Sequence, residues 1–271
     1  MFEIFASTDA WVALITLTFL EIVLGIDNIV FISIAASKLP AKDQKKATNW
    51  GLALAMIQRI LLLIGVSYLI ALQEPFYTID NSWITVGLSW QSLILFFGGL
   101  FLLYKSTSEI HEKVDIPKHG ETKLSQKKIT SFSKALLQIL LIDFIFSIDS
   151  ILTAIGMTNG LGEKPNDALI IMIIAVVISI LIMLIFANAI REFINKHPSM
   201  QLLALSFLIL IGFMLITEAA HLSHTVIFGQ EIGAIPKGYL YFAIAFSLFI
   251  EFLNMRLKKK INYVKDDNKT A

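Results

Sequence analysis

Two apolar segments of the chain carry acidic side chains at matching positions. They read LEIVLGIDNIVFISI over residues 20–34 and LIDFIFSIDSILTAI over residues 141–155. Each contains two acids and a small polar residue at the same spacing: Glu21, Asp27 and Asn28 in the first, and Asp143, Asp149 and Ser150 in the second. Carboxylate, amide and hydroxyl oxygens suit hard cations such as Mg²⁺, Ca²⁺ and Mn²⁺. The residues therefore predict a site for a hard divalent cation, without selecting one of the three.

An ionised acid within an apolar helix has an unfavourable free energy unless nearby groups compensate its charge. An ionised side chain at the centre of a membrane-spanning helix costs about 2.5–3.5 kcal/mol, so four would cost on the order of 10–14 kcal/mol. They must therefore be protonated, paired or bound to a cation. Arg59 is the basic residue available at this depth, and one arginine cannot neutralise four acids. A static hydrogen-bonded interface between two helices is the alternative that requires no ion.

Helical geometry separates the polar side chains into two faces. Residues four and seven apart share one face of a helix. The shared stripes are Glu21, Gly25 and Asn28 in the first segment, and Asp143, Ser147 and Ser150 in the second. Asp27 and Asp149 lie about 120° away on a regular helix. They would join the stripes only where the helix unwinds near the glycine or serine; otherwise they face another helix or bond backbone amides.

Long apolar blocks must position these side chains. The chain has 271 residues, is 56% hydrophobic and has a mean hydropathy of +0.74, whereas a soluble domain is about 45–50% apolar. Apolar blocks of about twenty residues are typical of helices that cross a bilayer. The sequence predicts seven such spans, at residues 10–36, 48–72, 90–110, 132–157, 168–190, 200–221 and 237–256. We therefore expect an all-α polytopic membrane protein that contacts the lipid bilayer. A net charge of +1 gives no indication of nucleic-acid binding.

The basic residues between the spans predict the orientation. Seventeen lie on one side, in the loops after the first, third and fifth spans and in the C-terminal tail, whereas the other side has Lys164 and Lys237. Loops rich in lysine and arginine stay in the cytoplasm. The N-terminus is therefore expected outside and the C-terminus in the cytoplasm.

The two acidic segments also indicate an internal repeat. Their acids, the small residue between them and the flanking isoleucines align in register, and Gly99 of the third span matches Gly212 of the sixth. Each copy holds three spans, so the second copy would enter the membrane from the opposite side, as in many secondary transporters. Within a single transmembrane domain, we expect a first repeat at 1–110, a cytoplasmic linker at 111–131, a second repeat at 132–222, a seventh span at 223–257 and a disordered cytoplasmic tail at 258–271.

Two charged residues near the ends of spans have simpler interpretations. Lys105, at the cytoplasmic end of the third span, is interpreted as a lysine that extends to the interface. Glu218, near the outer end of the sixth span, either gates or is solvated.

Several segments resemble the tellurite-resistance TerC family of integral membrane proteins, in its short bacterial form. These are TLTFLEIVLGIDNIVFISI, LQILLIDFIFSIDSILTAIGM, GGLFLLYKSTSEIHE, HPSMQLLALSFLILIGFMLI and IPKGYLYFAIAFSLFIEFLN. The resemblance implies metal-ion handling in a bacterial inner membrane, because several members are described as manganese exporters. Others are associated with tellurite resistance or with membrane-linked delivery of metal to secreted enzymes.

The residues and the resemblance together favour an alternating-access exporter of Mn²⁺ or a similar cation. The expected ligands are Glu21, Asp27, Asn28, Asp143, Asp149 and Ser150. Gly25 and Ser147 would permit close approach or local unwinding, Arg59 would pair with an acid when the site is empty, and Glu218 would support the site. No prosthetic group, enzymatic activity or oligomeric state is inferred.

Other classes of protein remain as alternatives. A membrane scaffold or metal-delivery accessory that moves no metal would explain the same acids. A seven-helix retinal protein would need a lysine inside its last span, and GYLYFAIAFSLFIEFLNM has none. An intramembrane aspartyl protease would need a Gly-x-Gly-Asp pattern, which the sequence lacks. The sequence also has no Walker A pattern, so the chain's own ATP hydrolysis would not drive transport.

Overall fold

The computed structural model describes residue 5 and residues 7–81, 83–114, 131–158 and 167–270. For Leu24, Ile26, Asp27, Ser67 and residues 258–270 it describes the backbone only.

Eight helices make up most of the described chain. They are α1 (Thr8–Ser37), α2 (Ala41–Ile64), α3 (Val66–Ala71), α4 (Trp90–Val114), α5 (Phe132–Thr158), α6 (Asp167–Lys196), α7 (Pro198–Leu222) and α8 (Lys237–Thr270). All except the short α3 are long and apolar enough to cross a membrane, α8 over Lys237–Leu257. The all-α membrane fold and its seven spans are therefore confirmed.

Several helix boundaries differ from the sequence expectation. α2 begins at Ala41 because its polar first turns, AKDQKKA, contain good helix formers, although hydropathy detects only its apolar part. It ends before Gly65, where the second span was expected to run on. Helix α8 continues to Thr270, where a disordered tail was expected. The polar composition of this tail argues against a packed core. A helix needs no core to form, because its backbone hydrogen bonds lie within the helix itself. The expected linker lies outside the described residues except at residues 111–114, which continue α4, and residue 131.

A four-stranded sheet was not expected from the sequence. Its strands are β1 (Pro75–Asn81), β2 (Ile84–Ser89), β3 (Val226–Ile227) and β4 (Gln230–Glu231), all antiparallel and in that order. The segment YTIDNSWITV has β-branched and aromatic residues on both sides of the sequence Asp-Asn-Ser, a pattern typical of a hairpin. The sheet joins the α3–α4 loop to the α7–α8 loop, and we call this end of the bundle the sheet end.

The opposite end of the bundle is the lysine-rich end. Here α1 connects to α2, α4 to α5 and α6 to α7. Polar contacts link the helix ends: Lys113 of α4 bonds Gln201 of α7, and Arg191 of α6 donates to Gln44 of α2 at 3.0 Å. Because α1 ends here and α5 begins here, these two helices run in opposite directions.

Helices of the two expected repeats pack mainly against each other. The closest pairs are α4 with α7, α1 with α6 and α2 with α5. The symmetry operation of an inverted repeat would superpose α1 on α5, α2 on α6 and α4 on α7. It would therefore superpose the α1–α6 contact on the α2–α5 contact. The packing has the form that the repeat requires, while the repeat itself stays a prediction.

Two glycines bring α4 and α7 into backbone contact. A Cβ added to Gly99 would lie 2.6 Å from the carbonyl oxygen of Gly212, and one added to Gly212 would lie 2.9 Å from that of Gly99. Backbone atoms cannot move aside as a flexible side chain can. These positions therefore require glycine if the helices are to approach this closely.

Gly99→Ala is expected to destabilise the protein by about 1–3 kcal/mol, because α4 and α7 must separate to accommodate the methyl group. Thermal and denaturant unfolding in detergent would measure the change. Gly156→Ala is the matched control, because this helical glycine has no atom within 4 Å of an added Cβ. It should be neutral or stabilising by up to about 1 kcal/mol. Equal stability of the two variants would contradict the packing described here.

Candidate functional site

Three charged side chains from three helices meet in the interior. Glu21 of α1, Arg59 of α2 and Asp143 of α5 are 5%, 2% and 4% exposed. Nη2 of Arg59 donates to Oδ1 of Asp143 at 2.7 Å, and Nε lies 3.3 Å from the same oxygen. Nη1 of Arg59 donates to Oε2 of Glu21. We call these residues the acid–arginine centre; with both acids ionised, its formal charge is −1.

Neutral polar side chains surround Asp143. Nδ2 of Asn28 donates to its Oδ1 at 3.1 Å, and the hydroxyl of Ser147 donates to its Oδ2 at 3.2 Å. The hydroxyl of Ser150 instead donates to the backbone carbonyl of Ser147 at 3.3 Å. Oδ1 of Asn28 is buried and has no hydrogen-bond partner among the described residues. A buried acceptor without a donor is costly, so this oxygen is free to coordinate a cation.

Both acidic segments are continuous helix, so the unwinding considered near Gly25 and Ser147 is not present. The carboxylate of Asp143 accepts hydrogen bonds from side chains, including the hydroxyl of Ser147 one turn away. The polar contacts of the segment therefore form without unwinding of the helix. Gly25 permits close approach instead: a Cβ there would overlap Sδ of Met183 in α6. The stripe of Glu21, Gly25 and Asn28 is buried as helical spacing predicts.

Asp149 lies apart from the acid–arginine centre. It is six residues beyond Asp143 on α5, or about 9 Å further along the helix axis. Its carboxylate pairs with Nζ of Lys237, the first residue of α8. A cavity of about 40 Å³ has Arg59, Asp149, Ser150 and Lys237 in its wall. The sequence left two placements open for Asp149, among the other acids if the helix unwinds or otherwise facing another helix. The helix is regular, and Asp149 contacts α8 nearer the sheet end. The side chain of Asp27 lies outside the described residues.

Among the described side chains, no group of three or more histidines, cysteines or acids is close enough to hold a metal ion. At the centre, the guanidinium of Arg59 provides the positive charge between the two carboxylates. Sequence analysis identified Arg59 as a partner for one acid, and the structure pairs it with two. Lys237 was missed as a partner of Asp149 because, at the first residue of the expected seventh span, it was counted with the basic residues of the outer loops.

Charged residues also pair near each end of the bundle. At the lysine-rich end, Glu109 of α4 binds Nζ of Lys38 and, at 2.8 Å, Nζ of Lys105. Lys105 therefore has an acidic partner one turn away, which the simple interfacial interpretation did not include. Near the sheet end, Glu218 of α7 interacts electrostatically with Asp149 and Lys237.

Comparison with known proteins identifies relatives along nearly the whole chain. The model of the integral membrane protein TerC family matches residues 6–266. The UPF0053 inner membrane protein YgdQ of Escherichia coli K12 is 42% identical over 260 residues, covering 96% of this chain and 98% of the relative. A UPF0053 protein of Haemophilus influenzae is 40% identical over 259 residues, covering 96% and 99%. The longer UPF0053 protein YegH of E. coli K12 is 42% identical over 252 residues, covering 93% of this chain and 43% of the relative. No solved structure matches.

Proposed function

The chain belongs to the TerC family of integral membrane proteins, and from this premise we propose that it is a secondary transporter that exports a divalent cation, Mn²⁺ foremost. One observation carries the proposal. Glu21 and Asp143, which hold equivalent places in the two acidic segments, meet in one buried centre although they come from different helices. Paired acids deep within a membrane protein are typical of ion pathways.

The ligands at the centre suit a hard cation. They are the carboxylates of Glu21 and Asp143, the free Oδ1 of Asn28 and the hydroxyl of Ser147. A divalent ion would displace the guanidinium of Arg59. The two carboxylates alone have a formal charge of −2, and the bound divalent ion would neutralise them. All these donors are oxygens, and the sequence has no cysteine to supply a thiolate, so Mn²⁺, Mg²⁺ and Ca²⁺ fit better than soft metals.

The remaining acids extend the site along the membrane normal. α1 and α5 run in opposite directions, so position 27 lies towards the lysine-rich end from the centre and Asp149 towards the sheet end, each by about 9 Å. In this proposal the cation binds at three places one after another as it crosses the membrane: at Asp27, at the acid–arginine centre, and at Asp149 with Ser150. This replaces a single site of four acids with a path of three steps.

The orientation defines which end of the proposed path faces the cytoplasm. In the sequence, seventeen basic residues belong to the loops after the first, third and fifth expected spans or to the C-terminal tail, and this charge bias favours the cytoplasm for the lysine-rich end. A relative along the whole chain is named an inner membrane protein. We therefore place the protein in the bacterial inner membrane, with its N-terminus outside and its C-terminus in the cytoplasm.

Metal flux into liposomes that contain only this protein tests the proposal. With a manganese-quenched dye inside the vesicles, wild type should give saturable Mn²⁺ entry, and Glu21→Gln should reduce it at least about tenfold because one charged ligand is lost. Glu192→Gln is the matched control: the same change at an exposed residue of α6 should leave flux within about twofold of wild type.

No flux from folded, inserted wild type would contradict the transporter. It would favour the second candidate, a membrane scaffold or metal-delivery accessory linked to tellurite resistance or to metalation of secreted enzymes. The double ion pair of Arg59 supports that alternative, since a static interface would have the same contacts.

A further inference from the structure

The spans form two groups. Helices α1, α2, α5 and α6 pack around the acid–arginine centre, and we call them the core bundle. Helices α4 and α7 pack against each other through Gly99 and Gly212, with α8 against α7, and we call these three the flanking group. In the described part of the chain, the contacts between the two groups (α1 and α6 with α7, and α4 with α5) are much less extensive than the packing of α4 against α7; the contact of α8 with α7 is itself about as small as that of α1 with α7.

One ion pair links the groups near the lysine-rich end. Lys38, at the C-terminus of α1 in the core bundle, binds Glu109 of α4 in the flanking group. The Glu109 side chain is 6% exposed, so it requires a positive partner. Lys105 of α4 binds the same carboxylate oxygen at 2.8 Å. If Lys38 moved away, Glu109 would therefore keep a partner within its own helix.

A second ion pair links the groups near the sheet end. Asp149 of α5 in the core bundle binds Lys237 of α8 in the flanking group. Glu218 of α7 is attracted by Lys237 and repelled by Asp149. If Asp149 moved away, Lys237 would keep an acidic neighbour within the flanking group. The arrangement resembles that of the first pair with the charges exchanged, although Glu218 acts on Lys237 at longer range than Lys105 acts on Glu109.

Among the described residues, neither α1 with α4 nor α5 with α8 is a closely packed pair of helices. The two ion pairs therefore connect helices that little else holds together at those places. Glu109 is buried and the Asp149 and Lys237 side chains are 18% and 27% exposed, so breaking either pair leaves a charge that water compensates only in part. Here, Lys105 and Glu218 reduce that penalty, which makes both contacts suitable for repeated opening.

From this arrangement we propose that the Lys38–Glu109 and Asp149–Lys237 pairs are the inner and outer gates of the transport path, and that they open alternately. The inference rests on the proposed function. Both gates are closed in this structure, and a cavity lies beside each. The cavity of about 10 Å³ at the inner gate is lined by Ser106, whose buried hydroxyl oxygen has no partner among the described residues. The cavity of about 40 Å³ at the outer gate reaches Arg59.

Thiol labelling tests the gates directly, because the sequence contains no cysteine. Single reporters are Ser106→Cys beside the inner gate and Ser150→Cys beside the outer gate. A membrane-impermeant thiol reagent is applied from the cytoplasmic side to the first reporter, in inside-out vesicles, and from the outer side to the second, in right-side-out vesicles. The labelling rate then reports how often each gate is open.

Gate variants should change the two labelling rates in opposite directions. Lys38→Met should raise labelling of the inner reporter roughly tenfold and lower that of the outer reporter. Lys237→Met should do the reverse. Removing the contact that closes one gate shifts the population towards the state in which that gate is open and the other is closed. Lys42→Met, an exposed lysine near the inner gate, should change neither rate. Thermal unfolding of each variant verifies its fold, and Lys38→Glu with Glu109→Lys should restore the wild-type rates.

A rise at both reporters in either gate variant would indicate general loosening and would overturn the proposal, as would unchanged rates in folded variants. The labelling requires no transported ion, so the gates and the proposed function can fail separately. Reciprocal labelling without Mn²⁺ flux would retain the gates and reject manganese export. Flux with unchanged labelling would retain the transporter and reject these gates.

Discussion

Arg59→Gln is expected to destabilise the metal-free protein by about 3–5 kcal/mol, because it leaves the carboxylates of Glu21 and Asp143 buried without a cation. The same substitution should tighten divalent-cation binding by a factor on the order of 1,000, since each change of about 1.4 kcal/mol is tenfold in affinity. The guanidinium competes with the metal for both acids, and a charge pair about 4 Å apart is worth about 4 kcal/mol at an effective dielectric constant of about 20. Mn²⁺ should therefore restore most of the lost stability.

Thermal unfolding in detergent, with and without Mn²⁺, and titration calorimetry would measure both effects. Arg256→Gln is the matched control, since Arg256 is an exposed arginine of α8 over the ring of Phe252. It should change stability by no more than about 0.5 kcal/mol and leave metal affinity unchanged. If Arg59→Gln behaved like this control, the guanidinium would not be the competitor of the cation.

Transport by Arg59→Gln should fall although binding becomes tighter. Release requires a group that replaces the ion, and Arg59 is the cation held at the centre when the site is empty. We expect flux at saturating Mn²⁺ to decrease at least about tenfold while the half-saturating concentration also decreases, which is the signature of tighter ground-state binding. A decrease in flux with an unchanged half-saturating concentration would argue against displacement.

Asp143→Asn is expected to abolish transport, with a loss of at least about 100-fold in Mn²⁺ flux. Asp143 receives hydrogen bonds from Arg59, Asn28 and Ser147, so it occupies the middle of the donor set. Asparagine has nearly the same shape but no charge, and the centre would hold one carboxylate against Arg59. A divalent cation would then gain only one charged ligand by displacing that arginine.

Stability distinguishes this loss from misfolding. Because Glu21 and Arg59 still form a neutral ion pair, Asp143→Asn should be destabilised less than Arg59→Gln, by about 1–2 kcal/mol. Ser147→Ala is the matched comparison: it removes one hydrogen bond to Asp143 but retains the charge, so flux should fall by less than about tenfold. A folded Asp143→Asn with wild-type flux would remove the acid–arginine centre from the transport path.

Local properties of the sequence determined the membrane fold. Hydropathy and length alone identified all seven spans, because a bilayer requires long apolar helices whatever their neighbours are. Helical spacing likewise determined that Glu21, Gly25 and Asn28 lie on one buried stripe. The cost of a buried charge also indicated that Arg59 must face an acid. None of these inferences depends on how one helix is oriented against another.

Tertiary structure decided which charges meet. Arg59 pairs with two acids, and Asp149 with Lys237, because of how α2, α5 and α8 are oriented around one another. Unbroken helix at Ser147 keeps Asp149 about 1.7 turns from Asp143, whereas the sequence left open an unwound helix that would let them join. The sheet formed because strands from two distant loops reach each other only once α4 and α7 are packed. Such pairings join residues far apart in the chain, and so they follow from packing rather than from local periodicity.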